Sequence, residues 1–277
     1  MHGWPPAYAV VAFAVGTLVG MTGVGGGSLM TPLLILLFGI PPATAVGTDL
    51  LHAAVTKTAG SLLHSLNRTI DWRVVRRLAA GSIPMTALTI AALSAFDING
   101  ASGRHFINAV LTLALVVTAL TLIFRDRIVA RYSARFGVLA PAQVAALTVA
   151  TGGALGALVS ISSVGAGAIG VTALVLLYPR LPAARIVGSD IAHAVPLTLA
   201  GGIGHLLLGS VDLQVFASLI VGSVPGILLG SYAAVRLPER ALRLVLAATL
   251  IVVATKLALG LLPPPSDLVA EKAIAPH

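Results

Sequence analysis

The sequence contains no cysteine and few charged residues. With Cys 0 in 277 residues, disulfide bonds, thiolate chemistry and cysteine-ligated metals are excluded. Charged side chains make up 9% of the chain, against about 25% in an average soluble domain. Hydrophobic residues make up 57% instead, and the mean hydropathy is +1.02. A water-soluble protein of this length cannot bury so much apolar surface, so the sequence predicts a membrane protein.

Most of the few charges are basic, and the formal net charge is +8. The basic residues form short clusters between apolar runs, where Lys and Arg set the orientation of membrane segments. Nucleic acid is therefore not an expected partner. No Lys or Arg precedes the first apolar run. A cleaved signal peptide would carry basic residues there, so we expect the first run to be a retained membrane span.

We predict an all-α polytopic fold of ten membrane segments, because a spanning helix needs about 20 apolar residues and a broken one fewer. The second and seventh segments are short, and each follows a glycine-rich run. The chain divides into a first membrane repeat (1–124), a basic cytoplasmic linker (125–140), a second membrane repeat (141–262) and a disordered, proline-rich tail (263–277). The predicted segments cover residues 6–22, 27–39, 43–65, 73–96, 105–124, 141–160, 166–179, 183–208, 213–235 and 240–262.

The two halves of the chain repeat one another at an offset of 141 residues. Between residues 41–84 and 182–225, 17 of the 44 aligned positions are identical. Chance would give about 4–5 identities, so the pattern indicates an internal duplication. The identical pairs include Asp49 and Asp190, His52 and His193, Asp71 and Asp212, and the tetrapeptides that begin at Gly81 and Gly222.

The charges of the loops predict that the two halves are antiparallel. Arginine clusters at 68–77, 125–135 and 236–243 are expected in the cytoplasm, and the charge-poor loops 97–104 and 209–212 outside. The loop after segment three is then inside, whereas its counterpart after segment eight is outside. The result is a 5+5 inverted repeat with both termini outside, whether segments two and three each span or form a re-entrant hairpin. Inverted repeats with broken helices are typical of transporters that work by alternating access.

The glycine-rich runs are candidates for an anion site. A helix N-terminus exposes free N–H groups and carries about half a positive charge, and glycine lets the backbone approach a ligand closely. Together these features bind anions without a basic side chain. The alternative is that the glycines only allow membrane helices to pack closely. The predicted substrate-binding residues are Gly25, Gly26, Gly27, Ser28 and Thr31 in the first half, and Ser163, Gly165, Gly167 and Thr172 in the second.

Asp49 and His52 lie three residues apart and share one helix face, as do Asp190 and His193. An ionised Asp inside a span costs at least about 2.5–3.5 kcal/mol, so it seldom lies there without a partner or a cavity. The four residues could face the transport site as proton carriers or polar ligands. Asp49 could instead bind the N-terminal N–H groups of a neighbouring half-helix and stabilise the fold. A third hypothesis is a metal site, since four N and O ligands suit zinc or nickel.

Lys57 has no counterpart in the second half, where residue 198 is threonine. An intramembrane cation attracts an anionic substrate, so Lys57 joins the predicted substrate-binding residues. Alternatively, it extends to the membrane interface or pairs with Asp49. Pro84 and Pro225 fall inside predicted helices, where proline causes a kink, and we interpret both as hinge residues.

The duplicated motifs resemble the TauE/SafE family of membrane permeases, known as sulfite exporters. The resemblance rests on the glycine-rich run followed by Pro32, the run Ala45-Val46-Gly47-Thr48-Asp49, the following Gly60 and the motif Gly81-Ser82-x-Pro84. It covers residues 8–262 and implies a bacterial inner-membrane permease for small sulfur-containing anions such as sulfite, sulfonates or sulfoacetate. Protons, ions or the membrane potential would drive it. The second glycine-rich run is a weaker match than the first.

The main hypothesis is therefore a secondary transporter for a small sulfur-containing anion, working by alternating access, with proton or ion coupling and no cofactor. The anion would lie between the N-terminal ends of segments two and seven. The alternatives are a divalent-metal permease that uses the Asp/His pairs and a passive anion channel. An intramembrane enzyme is a further class, but the sequence shows no nucleophile–base pair for it, so we expect no enzymatic activity.

Overall fold

The computed structural model describes residues 6–22, 27–135, 140–234 and 239–261. Within these ranges the chain forms helices and no strand, which confirms the all-α prediction. The described helices overlap the predicted segments one by one. They are α1 (Pro6–Thr22), α2 (Gly27–Phe38), α3 (Pro42–Leu66), α4 (Trp72–Ser94), α5 (Ala101–Arg135), α6 (Pro141–Ser162), α7 (Ala168–Leu177), α8 (Ala183–Leu207), α9 (Leu213–Ala234) and α10 (Glu239–Leu261).

Six of these helices are long and apolar enough to cross a membrane, namely α4, α5, α6, α8, α9 and α10. The shorter apolar helices are α1, α2 and α7. Helix α3 has 25 residues, but it carries Asp49, His52, Lys57 and His64, which lower its hydropathy. Three candidate site residues of the first half, Asp49, His52 and Lys57, lie in this helix.

Helix α5 is longer than the sequence predicts. It runs for 35 residues, from Ala101 to Arg135, whereas the predicted segment ends at residue 124. The chain has no glycine or proline between Gly103 and Gly137, so nothing interrupts the helix and the basic residues that follow 124 continue it. In this part, Asp126 lies 3.5 Å from the Arg243 guanidinium of α10. This ion pair places two of the basic clusters at the same end of the molecule.

Glycines form the contact between α4 and α6 and its counterpart between α1 and α9. A Cβ at Gly81 would collide with the Val149 carbonyl, and one at Gly222 would collide with the Ala9 carbonyl. Small residues of this kind let membrane helices approach backbone to backbone. Each contact joins a helix of one half of the chain to a helix of the other, so the halves pack against each other through both pairs of helices.

Helices α3 and α8 cross in opposite directions. A Cβ at Gly60 would lie 3.5 Å from Ile191, and one at Gly201 would lie 3.2 Å from Leu50. Residue 60 therefore faces 191 and residue 50 faces 201, an antiparallel register. Its centre falls midway between these contacts, at residues 55 and 196.

Hydrogen bonds between the halves come in exchanged pairs. The backbone N–H of Asp71 donates to Ser189 Oγ at 2.8 Å, and that of Asp212 donates to Thr48 Oγ1 at 3.0 Å. Both aspartates also accept bonds from backbone N–H groups two and three residues further on, which is how an N-cap residue stabilises a helix start. The repeated Asp71 and Asp212 are thus helix caps docked on the opposite half.

Candidate functional site

The Asp49 side chain joins three helices at a fully buried point. Its Oδ2 accepts hydrogen bonds from Thr31 Oγ1 of α2 at 2.6 Å and from Ser163 Oγ at 2.9 Å. Ser163 is the C-cap of α6 and has a left-handed backbone, with φ of 57°. The other carboxylate oxygen, Oδ1, lies 3.5 Å from His52 Nδ1. This geometry matches the hypothesis of a fold-stabilising carboxylate, although its donors are hydroxyls rather than backbone N–H groups.

The two repeated histidines bind the two repeated serines of the opposite half. His52 Nε2 and Ser223 Oγ are 2.8 Å apart, and His193 Nε2 and Ser82 Oγ are 2.9 Å apart. All four side chains are buried. Ser82 and Ser223 are not among the predicted site residues, because in their tetrapeptide only the prolines have a predicted role. The duplication of the tetrapeptide is the signal in the sequence that points to them.

Asp190 has a different environment from its counterpart Asp49. It is 3% exposed, and its Oδ1, like that of Asp49, has no hydrogen-bond partner among the described residues. Unlike Asp49, it accepts no hydroxyl bond of the kind that Thr31 and Ser163 donate, within the same residues. The Asp190 Oδ1 lies against the backbone of Gly170 in α7, where any Cβ would collide with it. In the alignment of the glycine-rich runs, the position of the donor Ser163 is taken by Gly23, which has no hydroxyl. The duplicated aspartates are therefore not equivalent.

The antiparallel register places Asp49 and Asp190 on opposite sides of the crossing. Each lies six residues before the centre of its helix segment, so about 18 Å separates their levels along the helix axes at 1.5 Å per residue. A single metal centre that draws ligands from both Asp/His pairs does not fit this separation. Within the described residues, no group of three potential ligands surrounds a common point. The geometry thus disfavours the metal-permease alternative.

Lys57 lies close to the centre of the crossing. In the same register it faces residue 194, about 6 Å along the axis from the level of Asp190 and about 12 Å from that of Asp49. Its ammonium interacts electrostatically with both carboxylates, and more strongly with Asp190. The counterpart Thr198 is buried and donates to the Ala194 carbonyl at 2.8 Å. One partly buried cation therefore lies between two buried carboxylates.

The second glycine-rich run connects the surroundings of the two carboxylates. It begins beside Asp49 at Ser163 and reaches Gly170, beside Asp190, through Gly165 and the helix start at Gly167. Gly165 has a φ of 109°, a conformation that other residues rarely adopt. The run therefore passes the level of Lys57 between its two ends.

The remaining predicted site residues are placed as follows. Gly27 begins α2, and Ser28 in the same helix is buried. Thr172 in α7 is also buried, but it forms no hydrogen bond to Asp190 equivalent to that of Thr31 to Asp49 within the described residues. Gly25 and Gly26 lie outside the described residues. Pro84 and Pro225 lie inside α4 and α9, two residues after the serines that bind the histidines, and their hinge role stays a prediction.

Comparisons with known proteins point to one family. A sequence model of the family described as Sulfite exporter TauE/SafE matches residues 8–257. A Bacillus subtilis (strain 168) protein, named Probable membrane transporter protein YjnA, is 39% identical over 244 residues, which are 88% of this chain and 95% of the relative. Probable membrane transporter protein YdhB of the same organism is 27% identical over 229 residues, 80% of this chain and 87% of the relative.

A more distant relative is matched over a smaller share of its length. Probable membrane transporter protein MJ0441 of Methanocaldococcus jannaschii is 24% identical over 212 residues, 75% of this chain and 74% of the relative. No solved structure matches the chain. The three relatives are all named as membrane transporters, and they are matched over most of their length.

Proposed function

Because this chain belongs to the sulfite exporter TauE/SafE family of membrane transporters, we propose that it moves a small sulfur-containing anion across the bacterial inner membrane. Sulfite, a sulfonate or sulfoacetate is the expected substrate. The transporter works by alternating access between the two halves of an inverted repeat. Both termini lie outside, so that the basic ends of α5 and α10 face the cytoplasm.

The observation that carries this proposal is the position of Lys57. It is a partly buried cation at the crossing of α3 and α8, and it has no counterpart in the second half. A cation in the membrane interior is costly unless it serves a partner or a cavity. An anion with three oxygens accepts charge-assisted hydrogen bonds from such an ammonium and from nearby hydroxyls and backbone N–H groups.

The packing of the halves supports the alternating-access part of the proposal. Helices α3 and α8 are antiparallel. The bond from Asp71 to Ser189 joins the repeat counterparts of the two residues that are joined by the bond from Asp212 to Thr48. An arrangement of two similar, oppositely oriented halves can form two states of similar free energy. One state opens the centre to one side of the membrane, and its exchanged form opens the centre to the other.

A flux assay in proteoliposomes tests the function. Radiolabelled sulfite, methanesulfonate and sulfoacetate are each offered to vesicles that contain the wild-type chain, the Lys57→Thr variant or no protein. We expect saturable flux of at least one anion with the wild type and a lower flux at the same anion concentration with Lys57→Thr. A Thr255→Val variant is the matched control, because Thr255 is exposed and bonds only within its own helix. Absence of protein-dependent flux for all three anions contradicts the proposal, and flux that does not saturate supports a channel instead.

A further inference from the structure

We infer that Asp190, and not its repeat counterpart Asp49, carries the coupling proton, and that its protonation releases Lys57 to bind the anion. This inference rests on the proposed function and gives it a coupling ion, a residue and a stoichiometry. It makes the protein a proton–anion symporter in which one proton accompanies each bound anion.

The first argument is the difference between the two aspartates in their hydrogen bonds. Both oxygens of Asp49 have polar neighbours within 3.5 Å, contributed by Thr31, Ser163 and His52. Such a carboxylate connects α2, α3 and the end of α6. Oδ1 of each aspartate is buried without a hydrogen-bond partner in the described part of the chain, but Asp49 alone of the two accepts hydroxyl bonds from described residues, both at its Oδ2. Asp190 can therefore gain and lose a proton without breaking a hydrogen bond to a described residue.

The second argument is distance. Lys57 lies about 6 Å along the axis from the level of Asp190, within the reach of a lysine side chain, and about 12 Å from that of Asp49. The Asp190 carboxylate and an anionic substrate therefore compete for one ammonium. Asp49 lies twice as far along the axis, and its interaction with the ammonium is the weaker of the two.

Other titratable groups near Asp190 form hydrogen bonds to other residues. His193, on the same helix, bonds Ser82 through Nε2, while its Nδ1 has no hydrogen-bond partner among the described residues. His64 of α3 lies near Gly188 and bonds Thr69 through Nδ1 at 2.8 Å. Asp71, which precedes α4, binds Ser189 through its backbone and uses its carboxylate to cap α4. Described residues of α7 near Gly170 contribute no ionisable side chain. Lys57 is thus the group that responds to the charge of Asp190.

The cycle balances in protons and charge. In the empty transporter, the Asp190 carboxylate attracts the Lys57 ammonium. A proton from water on the entry side forms an O–H bond on that carboxylate and neutralises it. The ammonium then binds the anion, and the halves exchange their orientation. On the exit side the anion leaves, the O–H bond breaks, the proton returns to water and the ionic attraction is restored. A monoanion moves with one proton and no net charge.

Gradient-driven uptake of sulfite, methanesulfonate and sulfoacetate tests the inference, with vesicles of the wild type, Asp190→Asn and Thr255→Val compared. For methanesulfonate, whose charge does not change with pH, one-to-one symport accumulates the anion about tenfold for each pH unit of gradient. We expect the wild type and Thr255→Val to show this accumulation. Asp190→Asn carries a neutral side chain permanently, so it should exchange labelled anion across the membrane but lose accumulation, with an inside-to-outside ratio of about one.

Each result supports or overturns the inference. Absence of flux in the wild type overturns the proposed function and this inference with it. Wild-type flux that ignores the pH gradient, or that follows an imposed membrane potential for methanesulfonate, overturns this inference alone. The same holds if Asp190→Asn still accumulates the anion. If Asp190→Asn fails to fold while Asp190→Glu folds without restoring accumulation, the carboxylate has a structural role and the inference is wrong.

Discussion

Ser163 of the second half donates a 2.9 Å hydrogen bond to the buried carboxylate of Asp49 in the first half. The bond connects the end of α6 to α3, and with the Thr31 bond it fixes the carboxylate between both halves. Asp49 therefore connects the two halves of the fold. This assignment leads to the first prediction, and the remaining ones follow from the other contacts between the halves.

Ser163→Ala should destabilise the protein by about 1.5–3 kcal/mol, because it removes a hydrogen bond to a charged group and leaves the buried carboxylate with one hydroxyl donor fewer. Thermal unfolding of the detergent-solubilised protein measures this effect. Thr255→Val, whose hydroxyl bonds only the carbonyl of Ile251, should change stability by less than about 0.5 kcal/mol. An equal change of stability in both variants would show that the Ser163 hydrogen bond does not stabilise the contact between the halves.

The paired contacts of the histidines predict matched energies. Removing Ser223 or Ser82 by substitution with alanine leaves a buried histidine nitrogen without a partner, at a cost of about 1–3 kcal/mol each. A double-mutant cycle of His52→Ala with Ser223→Ala should give a coupling energy of about 0.5–3 kcal/mol, and so should His193→Ala with Ser82→Ala. Additive effects in either cycle would contradict a direct bond between that histidine and serine.

Glycine positions in the helix contacts are predicted to tolerate no side chain. Gly81→Ala and Gly222→Ala each place a methyl group against a backbone carbonyl of the neighbouring helix, and overpacking of this kind costs about 1–3 kcal/mol or more. Yield and monodispersity in gel filtration report the loss. Gly260→Ala is the control, since a Cβ there meets nothing within 4 Å. Normal behaviour of Gly81→Ala and Gly222→Ala would mean that these helices do not pack as described.

Lys57→Thr places threonine at both repeat positions, 57 and 198, and should lower the affinity for the anion. A hydrogen bond to a charged group contributes about 1.5–3 kcal/mol, so the KM should rise at least about tenfold. Lys57→Arg, which retains the charge, should keep a larger share of the affinity than Lys57→Thr. Equal KM values for the wild type and Lys57→Thr would place the anion elsewhere.

Sequence alone predicted the helices well because each apolar run has a clear end. The bounds of α2 and α8 follow from the glycine-rich run before the first and the proline before the second. Helix α5 is longer than predicted because the basic residues after 124 have ordinary helix propensity and the chain has no glycine or proline between Gly103 and Gly137. That all ten helices cross the membrane as a 5+5 repeat stays a prediction.

The candidate site was only partly accessible from the sequence. Duplication identified Asp49, Asp190, His52 and His193, but it suggested that the two copies act alike. What separates Asp49 from Asp190 is the identity of their neighbours, such as Ser163 and Gly170, which lie far from them in the sequence. Likewise, the separation of about 18 Å between the levels of the two aspartates along the helix axes follows from the register of α3 on α8. Long-range packing of this kind leaves no periodic signal in a single chain.

The most direct test of the account locates the anion itself. Selenite is a heavier analogue of sulfite, and its selenium gives an anomalous signal in diffraction from crystals of the wild-type protein soaked with it. The account predicts a selenium peak within about 4 Å of the Lys57 ammonium, since charge-assisted hydrogen bonds hold the anion oxygens at about 2.7–2.9 Å. The peak should be absent from crystals of Lys57→Thr. A peak far from Lys57, or one that persists in Lys57→Thr, would contradict the account.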